Sequence, residues 1–226
     1  MVQIPRYHAE VAVQTLYAHQ RLRQLSQAQR YVELDARLIT VQRLSGLMPR
    51  ELQRWFYRHP DDVHRGRAPC ATEWYQYANL IQRVDAALVT ILFYRHYARG
   101  LAAEDALLSA YQGYRELSLR KPRIDFDHAF DLAAHTVGLW LTNTPRLSVT
   151  VCTTCRSETL TDHGRKVPLR CPFCQLLQRY SLDPRLQVHV PMLARSVSAP
   201  VLGIDRLCPD LVERLTPVTR PGRPRS

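Results

Sequence analysis

Residues 152–174 read CTTCRSETLTDHGRKVPLRCPFC, and this stretch sets the architecture of the C-terminal part of the protein. Cys152 and Cys155 form one C-x2-C pair and Cys171 and Cys174 a second, with 15 residues between them. Two such pairs at this separation are a zinc-site pattern, because two thiolates three residues apart on a tight turn grip one ion and a second turn completes a tetrahedron. The intervening segment has almost no apolar side chains with which to fold unaided. A structural ion supplies roughly 10 to 16 kcal/mol of apparent binding free energy in place of that core. Sulfur fills all four positions and leaves none for water, so we expect one structural zinc ion rather than a catalytic one. The two turns are expected on facing hairpin arms, with strands near Val149–Val151 and around Val167–Arg170. Disulfides compete as a reading but do not suit a reducing compartment; an iron centre or a redox-switched thiol cluster also competes. Arg156, Arg165, Lys166, Arg170 and Arg179 lie close enough in sequence to offset the anionic centre. His163 is read as a surface or outer residue, and Cys70 and Cys208 as free thiols.

Upstream of the cysteines the pattern is helical. Val11, Thr15, Ala18, Leu22 and Leu25, then Leu34, Leu38, Val41 and Leu44, recur at three- and four-residue spacing. Gly and Pro are absent between positions 6 and 45, so an unbroken helical block is expected from His8 to about Ser45. PDDVHRGRAP, 60–69, is a loop. A helix capped by Thr72 should run to about Arg99, buried on most sides between Val84 and Tyr97. Further helices are expected at Ala102–Leu119 and Asp127–Leu141. With 226 residues there is room for one domain plus a small appendage, at roughly 150 residues per domain. The fold class is therefore mainly α: a helical domain over 1–145 containing a helix-turn-helix-like segment at about 33–59, then a four-cysteine zinc-ribbon-like module at 146–180. The tail, 181–226, holds 7 of the 15 prolines and should be irregular apart from a short helix near Asp210–Leu215.

Charge gives the first functional direction. The net charge is +11, but residues 1–60 contribute +5, residues 61–145 contribute −1 and residues 146–226 contribute +7. A neutral scaffold between basic ends suits a polyanionic partner. All cations but Lys121 and Lys166 are Arg, whose planar fork fits phosphate oxygens and guanine edges. Codon bias explains the Arg excess equally well, though not its distribution. The longest apolar stretch, Val84–Tyr94, is too short to span a bilayer, and Arg6, His8 and Glu10 interrupt any leader-like segment. The expected location is the cytoplasm, with no membrane partner.

Within ELDARLITVQRLSGLMPRELQRWFYRH, 33–59, a first helix should end near Leu44 and a second begin with Pro49 in its first turn. The short Gly-containing turn between them is the helix-turn-helix arrangement. At about 100° per residue, Leu52, Trp55 and Phe56 fall on one side of the second helix, and Arg50, Gln53, Arg54 and Tyr57 on the other. That outward chemistry suits phosphates and base edges of a major groove, with Arg43 and Arg58 adding backbone contacts. A plain amphipathic pair with a solvated basic face has the same pattern.

Taken in order, these elements resemble the flagellar transcriptional regulator FlhC family. The likeness covers roughly residues 30 to 180. It rests on Ala36-Arg37-Leu38, on Thr72-Glu73-Trp74-Tyr75 after the Pro-rich loop, on Ala110-Tyr111 through Tyr114, and on the two-pair cysteine spacing. The resemblance implies a helical protein whose Cys152, Cys155, Cys171 and Cys174 hold zinc. It also implies assembly with a small FlhD-type partner subunit into a hetero-oligomer. That assembly binds double-stranded promoter DNA and activates RNA polymerase at flagellar genes. Where the family has a Pro-Ser-Arg-rich segment after the last cysteine, this chain has Gln175-Leu-Leu-Gln178-Arg179. On this reading the central helices form the core and the docking surface for the partner.

An adaptor that touches only protein is the alternative of a different class. Enzymatic function is not expected: H-E-x-x-H, a phosphate loop and G-x-S-x-G are all missing. Asp125 and Asp127 read as charge and capping at a helix start.

Overall fold

Nine helices and one antiparallel strand pair make up the residues that the computed structural model describes, which are 5–64, 69, 71–118, 122–164 and 170–190. They are α1 (Pro5–Glu33), α2 (Leu38–Ser45), α3 (Pro49–Phe56), α4 (Ala71–Tyr77), α5 (Leu80–Ala98), α6 (Ala103–Leu117), α7 (Phe126–Val137), β1 (Leu147–Val151), β2 (Glu158–Asp162), α8 (Pro172–Tyr180) and α9 (Pro184–His189). The chain is thus mainly helical, and no helix among the described residues is long and apolar enough to cross a membrane. It divides into two compact units, Met1–Gln178 and Arg179–Ser226.

In the first unit, α5 lies at the centre. Its apolar side chains point almost all round, and α6, α7, β1 and β2 cover them. Ala86 and Ala87 on α5, with Ala106 and Ala110 on α6, are fully buried, small residues. One acid sits in this apolar run. Asp85 accepts from the Tyr114 hydroxyl and the Arg123 guanidinium, both at 3.2 Å. Burial still pushes its carboxyl above the ordinary range, against the pull of Arg123 and Tyr114. The Tyr114 oxygen in turn accepts the backbone N–H groups of Arg123 and Ile124. The same buried tyrosine therefore links α5, α6 and the entry to α7.

The helical block expected from His8 to Ser45 is broken, although it contains neither Gly nor Pro. Asp35 takes a left-handed conformation, φ 64°, and Ala36 N–H donates back to the Tyr31 carbonyl at 3.1 Å. Aspartate tolerates this conformation because its short polar side chain can bond locally. The C-terminal half of α1 packs inward through Ala28 and Tyr31, the latter stacked on Phe126 with ring centres 5.5 Å apart. Residues 14–20 are exposed.

The second long helix is also divided. Thr72 lies inside α4, and α5 starts afresh at Asn79, whose side chain accepts Gln82 N–H while Gln82 reaches back to Asn79 N–H. That reciprocal pairing is a capping box built on Asn and Gln. Helix α7 stops at Val137 rather than Leu141 because Gly138 turns left-handed, φ 73°, against the Pro145 ring. In the 181–226 tail, residues 184–189 are helical and not irregular: Asp183 caps α9 by accepting from Arg185 N–H at 3.0 Å. The expected strand at 167–169 and the helix at 210–215 lie outside the described residues.

Helix α2 has no cap of its own. Its N-cap, Arg37, makes no side-chain bond to the helix start. Asp127 on α7 supplies one instead, accepting from Arg37 N–H at 3.2 Å and from the Thr40 hydroxyl, and pairing with the Arg37 guanidinium at 3.1 Å. Burial raises the Asp127 carboxyl above its ordinary value, against Thr40 and Arg37, which lower it. Asp125, by contrast, bonds to α7, accepting from His128 N–H at 2.8 Å and meeting the His128 ring Nδ1 at 2.6 Å.

Asp127→Ala would leave two donors and a guanidinium without their acceptor. We expect a loss of about 3 kcal/mol in urea unfolding, against about 1 kcal/mol for Asp125→Ala. His135 gives a pH test. Burial and then Arg146 hold its imidazole below the ordinary 6.5, with Asp162 opposing. The unfolded chain takes up this proton first, so the stabilisation is present above pH 6.5 and lost as pH falls below that value. His135→Gln should flatten this part of the profile when thermal unfolding is compared at about pH 7.5 and about pH 5.5.

Candidate metal centre and nucleic-acid interface

The first C-x2-C pair sits on the tip that joins β1 to β2. These strands pair in the register Leu147↔Asp162, Val149↔Leu160 and Val151↔Glu158. At the tip, Cys152 N–H donates to the Ser157 carbonyl and Arg156 N–H to the Cys152 carbonyl, both at 2.9 Å, with Arg156 left-handed at φ 60°. The second pair is not on a facing hairpin arm, as the spacing suggested. Cys171 precedes α8 and Cys174 lies in its first turn, so a helix N-terminus takes the place of the second turn.

The four sulfurs converge. Cys152 Sγ lies 3.8 Å from Cys174 Sγ and Cys155 Sγ lies 3.7 Å from Cys171 Sγ. All four lie within 4.8 Å of one another, and each cysteine is half-buried. A tetrahedral ion bonded to sulfur at about 2.3 Å spaces its ligands about 3.8 Å apart. A disulfide needs about 2.05 Å. The cluster therefore has the dimensions of a four-thiolate centre for one metal ion such as zinc. Backbone N–H groups of Cys155 and Thr154 pull the Cys152 thiol down to about 6. Cys155 is lowered by Ser157 N–H. Burial raises Cys171, and Cys174 is pushed up to about 12, first by its hydrogen bond with Cys155. Without a cation only part of the set ionises, so a bound ion favours full deprotonation. His163 is engaged through its backbone, donating to the Arg146 carbonyl at 2.9 Å, and is not in the cluster. Cys70 and Cys208, and Arg165 and Lys166, lie outside the described residues.

The cysteine module is seated on the helical core by contacts that no sequence motif announced. Tyr75 hydroxyl donates to the Leu160 carbonyl at 3.3 Å, and Gln76 to the Asp162 carboxylate at 2.9 Å. Arg95 pairs with Glu158 at 2.8 Å, and Arg83 donates to Gln175 at 3.2 Å. Leu147 and Leu160 are buried in the same core as α5 and α7. The one sequence signal near these contacts is the Trp74-Tyr75 dipeptide. Tyr75 docks on β2, while Trp74 packs edge-on against His128 of α7, ring centres 4.6 Å apart.

The helix-turn-helix segment forms as expected. Helices α2 and α3 are eight residues each, and Gly46, φ 71°, starts the turn between them. Leu52 is buried and Phe56 partly so, while Arg50, Gln53, Arg54 and Arg58 are exposed, as is Arg43 on α2. Two assignments change. Trp55 is 64% exposed, and the Arg54 guanidinium lies 5.8 Å from its ring centre. Tyr57 lies beyond the end of α3, where its extended backbone swings the side chain inward, and its hydroxyl is buried without a partner. Burial and the neighbouring Asp35 and Asp127 raise that phenol, so Tyr57 does not face solvent with the arginines. The acid on α3 is also accounted for. Glu51 caps Met48 N–H at 3.1 Å and pairs with Arg21 of α1. No described residue pairs its charge with Arg43, Arg50, Arg54 or Arg58.

No protein-family model and no curated protein matches this chain.

Cys155→Ser and Cys171→Ser each leave three thiolates. Each should lose the bound metal, measured as ions per chain by elemental analysis, and should lower the melting temperature of the first unit. A variant that keeps its full stability while binding no metal would remove the ion from the folding argument.

Proposed function

We propose that this chain is the DNA-contacting subunit of a transcription activator of the kind that FlhC represents. It would hold one structural zinc ion at Cys152, Cys155, Cys171 and Cys174. It would act in the cytoplasm, in a hetero-oligomer with an FlhD-type partner, on promoters of motility genes read by RNA polymerase. One observation carries the reading: α3 presents Arg50, Gln53 and Arg54 to solvent while its single acid is drawn aside by Arg21. A cationic helix face whose one carboxylate is already paired, preceded by a short turn and a second helix, has the chemistry to enter a major groove. The net charge of +11 supports it by favouring any polyanion at long range. Zinc supplies cross-linking and charge balance when bound, with no open position for chemistry. Partner docking draws support from α1, whose Leu16, Tyr17 and Leu22 are 70, 68 and 63% exposed. Those same residues favour the second reading, a zinc-stabilised adaptor that binds protein alone.

Salt dependence separates the two. A duplex titration at rising ionic strength should give a linear log–log loss of affinity. Arg50→Ala and Arg54→Ala should each make the slope shallower by about 0.9 and leave the metal content unchanged. Absence of duplex binding at the lowest salt, with the partner present, would favour the adaptor.

A further inference from the structure

We propose that Trp55 seats α3 against the sugar–phosphate wall of duplex DNA and so fixes the helix's register; the inference rests on the DNA-contacting reading of that face. The ring is 64% exposed on an eight-residue helix whose other apolar side chains, Leu52 and Phe56, turn inward. Hence packing within the chain does not explain a tryptophan there. Its place on the helix suggests what does. With about 100° per residue, Gln53 lies at one edge of the arc, Arg50 and Arg54 in the middle, and Trp55 at the other edge, about 140° from Arg50, with Glu51, which pairs with Arg21, between Arg54 and Trp55. A helix lying in a groove points its middle at the base edges and its flanks at the strands. Arg54 stacks its guanidinium over the indole, leaving the ring beside a fixed positive charge. The chain neighbours Arg58 and His59 are exposed, and Glu51, one turn back, is held by Arg21.

Duplex DNA fits this arrangement better than an acidic protein. An acidic surface needs cations alone, whereas Gln53 beside Arg50 adds an amide that can both donate to and accept from an adenine edge. The indole offers an apolar face to deoxyribose and one N–H donor to a phosphate oxygen. A contact of that kind orients the protein without reading sequence. It also neutralises no phosphate charge, which gives it a signature distinct from the arginines.

The test uses the full chain with a random-sequence duplex, by anisotropy of the labelled DNA and by tryptophan emission with unlabelled DNA. Trp55→Ala is expected to weaken binding about tenfold with an unchanged salt slope. Trp55→Phe, which keeps a ring but loses the N–H, should fall between. Emission should change on binding in the parent protein and not in Trp55→Phe, since Trp74 and Trp140 pack partly buried against the core. Far-ultraviolet circular dichroism and metal content should match the parent in both variants, because the side chain is exposed. Unchanged affinity in Trp55→Ala, or emission indifferent to bound DNA, overturns the inference while the arginine face stands. Loss of hetero-oligomer assembly with duplex affinity intact overturns it in favour of a protein anchor. Failure of the parent protein to bind duplex even with the partner present removes the DNA-contacting reading, and the role of Trp55 falls with it.

Discussion

The buried carboxylate of Asp127 joins the two halves of the helical domain. It belongs to α7, in the core, yet its bonds go to Arg37 and Thr40 at the start of α2. An eight-residue helix that begins without a cap of its own is marginal in water. The acceptor must come from elsewhere, and here it comes from 90 positions down the chain. That junction fixes the start of α2, while α1 holds the α2–α3 pair from the other side, Arg21 pairing with Glu51 of α3. Burial raises the proton affinity of Asp127, so the junction is held against a desolvation cost. Arg37 and Thr40 offset that cost by supplying charge and a hydroxyl.

A second constraint acts at the cysteines. Their thiols are brought to tetrahedral spacing by a strand-to-strand tip and by a helix start. Backbone N–H groups favour the charged form at Cys152 and Cys155, while Cys171 and Cys174 resist it. The four sulfurs thus have the spacing of a centre that could hold one metal ion. The module also uses the larger core: Leu160 is buried among the helices and its carbonyl takes the Tyr75 hydroxyl. A segment with few apolar residues of its own is stabilised from two sides.

The sequence announced those features that depend on local chemistry. The four cysteines, the α2–turn–α3 segment with Gly46 and Pro49, and the buried character of α5 were legible because spacing and periodicity act within a few residues. Features set by distant contacts were not. Asp35 ends α1 without Gly or Pro, so the helical pattern ran on through it. Thr72 was read as the cap of one long helix, whereas the structure divides that helix and Asn79, a residue type at least as good at an N-cap, starts α5. The helical angle placed Trp55 inside and Tyr57 outside, and both were reversed. Helix α3 ends at Phe56, which frees Tyr57 from the helical phase. The strand β2, ETLTD, has no strong alternation and forms because β1 and α5 lie beside it.

The long span of the Asp127 junction bears on how this protein can be made and dissected. During synthesis the α1–α3 segment leaves the ribosome well before α7 exists, with a helical pattern that favours continuing through Asp35. The bend and the seating of α2 await a residue not yet translated. A fragment trimmed to residues 33–59 would keep the arginines of α3 and lose the acceptor at the start of α2. A piece of this chain that keeps this contact extends at least to α7, because the two partners lie 90 positions apart.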